Sequence, residues 1–177
     1  IVKNNLFILI FFLLLGCAPN TSVSTNAITK TSCPIVLFSS EHGKYITSTA
    51  NPITSENVSY RAEINNYAYN SECLIIDNVF QADLSLLFVV KPDLTEKSSI
   101  TLPFYAAILN ANDEVVDMQY YQVDGDLKGE PENANYIETE LTKTIKLQIS
   151  TLSEEELNKS KVVVGFMLDK KKLEILN

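Results

Sequence analysis

The sequence predicts an all-β fold, an antiparallel β-sandwich of the immunoglobulin or fibronectin type III kind with about seven or eight strands. Apolar and polar residues alternate with a period of two along most of the chain, and polar clusters separate the runs. No long stretch has the 3.6-residue period of a helix. With 177 residues, 46% of them apolar, the chain fits one globular domain.

The first 16 residues are predicted to be a signal peptide. Lys3 precedes ten consecutive apolar residues at 6–15, a length that suits a signal-peptide core and falls short of the roughly 20 residues that span a membrane. Leu14-Leu15-Gly16-Cys17 then resembles a bacterial lipobox. We therefore expect cleavage before Cys17 and lipidation of its thiol, with an ordinary secretory signal cleaved nearby as the alternative.

A lipidated Cys17 predicts a protein anchored to a membrane by its N-terminus, because each buried CH₂ of an acyl chain contributes about 0.8 kcal/mol. Ala18, and not Asp, follows the Cys. By resemblance to lipoprotein sorting in Gram-negative bacteria, this favours the periplasmic face of the outer membrane. Residues 17–32 are rich in Ser, Thr and Asn, which predicts a flexible tether leading to a domain at 33–177.

Eight segments have the pattern of strands, and several short elements follow from their sequence. The polar stretch 110–114 predicts an antiparallel pairing of the strands on either side of it. Pro103 lacks an amide donor, which predicts a place at a sheet edge or a bulge. Ser153 and Glu156 have the spacing of a capping box, typical of one helical turn. The predicted strands are 35–37, 58–64, 73–76, 80–90, 100–108, 115–123, 141–149 and 162–168.

The cysteines predict one disulfide. If Cys17 is lipidated, Cys33 and Cys73 form an even pair in an exported protein, which favours a bond between them. Two buried free thiols are the alternative. In the chain-entropy view, closing such a loop stabilises the fold by about 4 kcal/mol. Because His42 is the single histidine, no zinc-ligand spacing is present, and we expect neither a metal nor a cofactor.

The charge disfavours nucleic acid as a partner. The chain has 14 Lys and Arg against 22 Asp and Glu, a net charge of −8, whereas such binding needs a cationic surplus. Residues 113–156 hold 12 acids and 3 lysines, which predicts a solubilising surface or an acidic docking surface. The oxygen-rich run 124–135 suggests a solvated loop, since Lys128 stands where a calcium loop would need a ligand.

No motif predicts an enzyme. His42 lies in Ser39-Ser40-Glu41-His42-Gly43-Lys44, but this stretch has no nucleophile elbow, and catalytic triads assemble from distant segments. We therefore interpret His42 as a loop residue.

Two groups of residues are candidates for partner binding. Leu87 and Val89 interrupt the alternation of their strand, which predicts either a central strand or a contact surface. Tyr120 and Tyr121 are candidates because exposed tyrosines suit recognition, with cross-strand packing as the alternative. We expect a non-enzymatic scaffold or accessory subunit of a cell-envelope assembly. A periplasmic module that binds ligands through exposed tyrosines or the acidic segment 113–156 is the alternative.

Four motifs together resemble a family of small alphaproteobacterial lipoproteins that has no assigned function. They are Cys33-Pro34, Cys73, the run Leu102-Pro103-Phe104-Tyr105-Ala106-Ala107 and the run Val164-Gly165-Phe166-Met167-Leu168. The resemblance covers most of residues 33–168. The tail at 169–177 departs from the Gln-rich ending of that family. The resemblance implies a lipoprotein and brings no catalytic residues.

Overall fold

A computed structural model describes residues 28–95, 97–130, 132, 135–150 and 153–177. The predicted signal peptide and Cys17 lie outside these residues. The described part contains twelve strands and two short helices. They are β1 (Ile28–Thr31), β2 (Ile35–Phe38), β3 (Lys44–Thr47), β4 (Tyr60–Tyr69), β5 (Cys73–Ile76), β6 (Val79–Pro92), β7 (Ser99–Leu109), β8 (Val115–Asp126), β9 (Lys128–Glu130), β10 (Asn135–Ile137), β11 (Thr139–Ser150), α1 (Glu154–Asn158), β12 (Lys161–Phe166) and α2 (Lys170–Leu176).

The strands form two main sheets. Sheet A has six strands in the order β1-β5-β6-β4-β3, and β11 pairs with β6 along its other side. Sheet B has four strands in the order β2-β12-β7-β8. Most pairs are antiparallel, while β2 runs parallel to β12. The prediction of an all-β sandwich is confirmed, and its immunoglobulin-like or fibronectin-like strand arrangement stays a prediction.

The inward faces of the two sheets make one apolar core. Alternate residues of β6 (80, 82, 84, 86, 88 and 90) and of β7 (100, 102, 104, 106 and 108) are buried, because successive strand residues point to opposite faces. Phe88 of sheet A lies 5.1 Å from Phe104 and 5.9 Å from Phe166 of sheet B, measured between ring centroids. These contacts hold the sheets face to face.

Covalent and polar contacts join the two sheets at their edges. Cys33, two residues before β2, forms a disulfide with Cys73 at the start of β5, which confirms the predicted bond. Between β2 and β3 the chain passes from one sheet to the other. Along it the His42 carbonyl accepts from Phe166 N of β12, and the Gly43 carbonyl accepts from Ile64 N of β4.

The eight predicted strands are all present, although three local predictions were wrong. Residues 28–31, assigned to the tether, form β1, because Ile28 to Thr31 pair with Ile76 to Cys73. The 124–135 run is not simply a loop, since it contains the end of β8, the whole of β9 and the first residue of β10. At the C-terminal end, Lys170 to Lys172 form the first turn of α2, with Asp169 as its N-cap.

Pro103 was predicted at an edge or a bulge, but its strand β7 lies inside sheet B between β12 and β8. The reason lies in the neighbouring strand, because β12 ends at Phe166, opposite Phe104. The next residue, Met167, still donates its N–H to the Pro103 carbonyl at 2.9 Å. Hydrogen-bonded residue pairs in an antiparallel ladder exchange two hydrogen bonds, and proline has no N–H with which to donate the second one. Pro103 is therefore tolerated where the ladder between β7 and β12 ends.

Two other local predictions are confirmed. β7 and β8 pair antiparallel across the polar turn. Ser153 and Glu156 form a full capping box at the start of α1, in which each side chain accepts from the other residue's backbone N–H.

Candidate functional site

The outward face of sheet B carries a row of apolar side chains across all four strands. Leu37 of β2 pairs with Val163 of β12, Val163 pairs with Ala107 of β7, and Ala107 pairs with Met118 of β8. Paired residues of neighbouring strands point to the same side of a sheet. The four side chains therefore make a continuous band perpendicular to the strands, which we call the apolar row.

The apolar row continues on both sides. Toward one end of the sheet lies a line of four residues, Ile35, Lys161, Leu109 and Val115. Toward the other end Gly165 pairs with Tyr105, and Tyr105 pairs with Tyr120. We call these three lines together the outer face of sheet B. Its side chains are mainly apolar, with Lys161 as the charged exception.

Several of these side chains are open to solvent. The exposed fraction is 56% for Ile35, 44% for Leu37, 37% for Met118 and 62% for Tyr120. Ala107, in the middle, is only 3% exposed because its larger neighbours surround it. Single exposed apolar residues are ordinary, whereas a contiguous set marks an interaction site. The outer face of sheet B is therefore the candidate functional site.

The local sequence explains how this face arises. β2 is the run Ile-Val-Leu-Phe, β7 contains Leu102 to Ala107, and β12 contains Val162 to Phe166. Each run is apolar at both inward and outward positions. Such continuous runs are typical of strands that are covered on both faces. The sandwich core covers one side of these three strands.

His42 and Tyr105 pack together at the end of this face. Their rings meet edge to face with centroids 5.9 Å apart, and His42 Nδ1 lies 3.2 Å from the Phe166 carbonyl oxygen. A Cβ atom at Gly165 would lie 2.6 Å from Tyr105 Oη and 2.9 Å from His42 Cβ, so only glycine leaves room for both rings. Ser39 Oγ accepts from the His42 backbone N–H at 3.1 Å, which is a turn contact.

Acidic residues bracket the exposed apolar part of β8. Asp113 and Glu114 lie in the turn before it, and Asp124 and Asp126 lie near its end. Gln122 and Thr101 donate hydrogen bonds to the Asp124 carboxylate, and these bonds lower the pKa of that group. The carboxylate is accordingly ionised at neutral pH.

The outward face of sheet A has a different character. One of its lines is Lys44, Glu63, Val89 and Glu140. Ion pairs lie beside it, with Lys91 Nζ 3.8 Å from Glu63 and 3.5 Å from Glu138. All these charged side chains are partly exposed, so the ion pairs add little stability and mainly keep the face hydrated.

The four residues that the sequence proposed for partner binding are divided between three places. Val89, on the outward face of sheet A, is 7% exposed and shares a cleft with Ile175 and Leu176 of α2. Leu87 lies half-buried on the same face, beside Asn66 and Thr142. Tyr120 belongs to the outer face of sheet B.

Tyr121 points inward. Its ring stacks on Phe104 at 5.5 Å, and its hydroxyl lies 2.7 Å from Gln119 Oε1 and 3.2 Å from the Lys146 carbonyl oxygen of β11. Burial, with a smaller contribution from the Asp117 charge, raises the pKa of Tyr121. Tyr121 therefore helps to close the sandwich between β8 and β11.

The acidic segment 113–156 is not one surface. Its carboxylates are divided between β8 of sheet B, β11 of sheet A and α1. Within the described residues no group of three or more His, Cys, Asp or Glu side chains could hold a metal ion. Neither described helix has the length and apolar character to cross a bilayer.

Five clefts with volumes between about 210 and 300 Å³ open on the surface of the described residues. Tyr45, Tyr60 and Tyr67 each line one of them, and none of the five is lined by two tyrosines. The exposed tyrosines that the sequence suggested for ligand binding thus do not converge on these clefts.

No protein-family model, curated protein or solved structure was found to match the chain. Any function must therefore be argued from the chain's own residues.

Sequence reasoning found Tyr120 but missed the rest of the outer face of sheet B. The signal that could have found it is the set of continuous apolar runs at 35–38, 102–107 and 162–166.

Proposed function

We propose that this chain is a lipid-anchored, non-enzymatic protein that serves as a scaffold or accessory subunit of a bacterial cell-envelope assembly. The observation that supports this function is the outer face of sheet B. A protein partner covering this face would remove Leu37, Met118 and Tyr120 from water, and such burial favours association by about 25 cal/mol per Å² of apolar area before the entropic costs.

Anchoring through Cys17 is the part of the proposal that rests on sequence alone. The lipobox and Ala18 favour the periplasmic face of the outer membrane. Replacing Cys17 by Ser (Cys17→Ser) is expected to move the protein from the membrane fraction to the soluble periplasmic fraction, because the acyl chains are lost. Fractionation followed by immunoblotting measures this. A Cys17→Ser protein that stays with the membranes would refute the anchor.

The scaffold function is tested on the full chain in its own membranes. In mild detergent we expect the protein to migrate in native electrophoresis within an assembly larger than the monomer. Leu37→Lys and Met118→Lys place a charge in the apolar row and are expected to release the monomer. Thr142→Lys is the matched control, because Thr142 is exposed on the outward face of sheet A.

Two results would contradict the scaffold function. One is a monomeric wild-type protein under all mild extraction conditions. The other is an assembly that survives both lysine substitutions in the apolar row. The ligand-binding alternative has less support, since none of the clefts described above is lined by more than one tyrosine.

A further inference from the structure

The charges around the outer face of sheet B indicate what kind of partner covers it, and this inference rests on the proposed function. Glu114, just before β8, and Asp124, near its end, are ten residues apart, which corresponds to roughly 33 Å of extended strand. Asp126 extends the second of these two acidic ends, while Asp113, beside Glu114, is paired with Lys161. The exposed apolar residues Val115, Met118 and Tyr120 lie between them.

Positive charge is scarce on the same surface. At the outward positions of β2, β7, β8 and β12, all of which are described, Lys161 is the one cation. Its Nζ lies 2.6 Å from Asp113 Oδ1, so its charge is already neutralised within the face. Glu41, in the loop after β2, adds a further exposed carboxylate. Lys143 of β11 also lies near enough to Asp124 for its charge to help lower the pKa of that carboxyl. Glu114, Asp124, Asp126 and Glu41 nevertheless leave the rim of this face net negative.

This rim discriminates between the possible occupants. A second copy of the chain would bring a second acidic rim and a second net charge of −8 against the first, and like charges across an interface disfavour association. An anionic lipid surface would be repelled for the same reason. A surface with Lys and Arg around an apolar centre would satisfy both parts of the face.

We propose that the partner is a protein that presents an apolar patch flanked at both ends by Lys or Arg side chains, and that it binds across the apolar row with these cations at the two acidic ends of β8. Steering by the acidic rim would speed association, and the buried apolar contact would hold the complex.

The experiment uses site-specific photo-cross-linking in intact cells with the full-length protein. Tyr120 is replaced by p-benzoylphenylalanine (Tyr120→p-benzoylphenylalanine), and the same replacement at Thr142 on sheet A serves as the positional control. We expect a discrete adduct from position 120 and none from 142. Mass spectrometry of the cross-linked peptide is expected to place Lys or Arg residues beside the contact.

The charge requirement is tested by neutralising the rim in the same cross-linking protein. Asp124→Asn with Asp126→Asn keeps hydrogen-bonding side chains and removes two negative charges. We expect the adduct yield to fall by about fivefold, since loss of steering slows association. Glu138→Gln with Glu140→Gln removes the same charge from the sheet A side and is expected to leave the yield unchanged.

Each other outcome overturns a specific claim. If neither position 120 nor Leu37→p-benzoylphenylalanine gives any protein adduct, the proposed scaffold function fails. If a protein adduct forms but rim neutralisation leaves its yield unchanged, the scaffold stands and the cationic partner is wrong. An adduct of twice the chain's mass, or with phospholipid alone, also refutes the cationic partner and identifies a second copy or a lipid surface as the occupant.

Discussion

The two outward faces of the sandwich differ in what covers their central strands. On sheet A the outward line of paired residues across β6 is mostly charged, with Lys44, Glu63 and Glu140 around Val89. Val89 itself shares its cleft with the end of α2. On sheet B the equivalent line is Leu37, Val163, Ala107 and Met118, and several of its side chains face solvent.

This difference shows that outward-facing apolar residues need a separate explanation on each of the two sheets. An outward apolar residue on sheet A is explained within the chain, because α2 folds back beside it. The outward apolar residues of β2, β7, β8 and β12 contact no such element among those described. Their exposure is the observation that supports the partner proposed above.

The largest expected effect concerns the link between the two sheets. Replacing both cysteines, Cys33→Ala with Cys73→Ala, is expected to lower the free energy of unfolding by about 4 kcal/mol, because the unfolded chain regains the entropy of an open loop. Urea denaturation measures this. If the double variant unfolds at the same urea concentration as the wild type, the disulfide does not contribute to the stability of the folded protein.

The next effect separates the two adjacent tyrosines. Tyr121→Phe removes the hydroxyl that reaches Gln119 and the Lys146 carbonyl, so we expect a loss of about 1 kcal/mol in unfolding free energy. Tyr120→Phe serves as the control, with an expected change within about 0.5 kcal/mol because its hydroxyl faces solvent. Equal effects of the two substitutions would show that Tyr121 has no special role in closing the sandwich.

A smaller effect is expected when charge is placed in the apolar row of the isolated protein. Leu37→Lys and Met118→Lys are expected to change the unfolding free energy by no more than about 0.5 kcal/mol, as at ordinary surface positions. Thr142→Lys on sheet A is expected to change the unfolding free energy by a similarly small amount. A loss of about 2 kcal/mol or more at the apolar row alone would mean that these side chains serve the fold and not a partner.

The smallest effect concerns the acidic rim. Thr101→Val removes one donor to Asp124, so the pKa of that carboxyl is expected to rise toward its ordinary value. Because the Asp124 pKa is lower in the folded protein than in the unfolded chain, its ionisation stabilises the fold at pH values above the unfolded-state pKa. This stabilisation is lost as the pH falls through the folded-state pKa. The variant therefore loses part of that contribution at neutral pH.

NMR titration of the Asp124 side-chain carbon measures the shift in pKa. Ser98→Ala, beside Asp126, is the control and is expected to leave the Asp124 pKa unchanged. An unchanged Asp124 pKa in Thr101→Val would mean that the Gln122 hydrogen bonds and the Lys143 charge are enough to lower it.

Much of the fold was predictable because one face of each long strand is buried. Period-two alternation identified β4, β6 and β11, and the number of cysteines predicted the disulfide. Two short strands, β1 and β3, were not predicted: each has four residues and is defined by the strand beside it. The four-residue strands β2 and β5 were predicted because they are apolar at almost every position. The position of Pro103 likewise depends on where β12 ends, which no pattern within β7 reveals.

The candidate site was harder to predict than the fold. In β8 the sequence Met118-Gln119-Tyr120-Tyr121 does not show which tyrosine points inward, because apolar and polar residues occur on both sides. The pairing of Tyr120 with Tyr105 and of Tyr121 with Phe104 decides it. The apolar row has a different difficulty: its four members come from strands that are far apart in sequence, and only the strand order of sheet B brings them together.

The position of the disulfide also determines how the domain would respond to a pull on its N-terminal side. Such a force would first act on β1, whose pairing within the described residues is with β5, and would separate its four residues from that strand. Two residues later it would reach Cys33, where a covalent bond passes the tension directly to Cys73 in sheet A. The strands after Cys73 would then carry the load, while the 39 residues between the two cysteines would be bypassed.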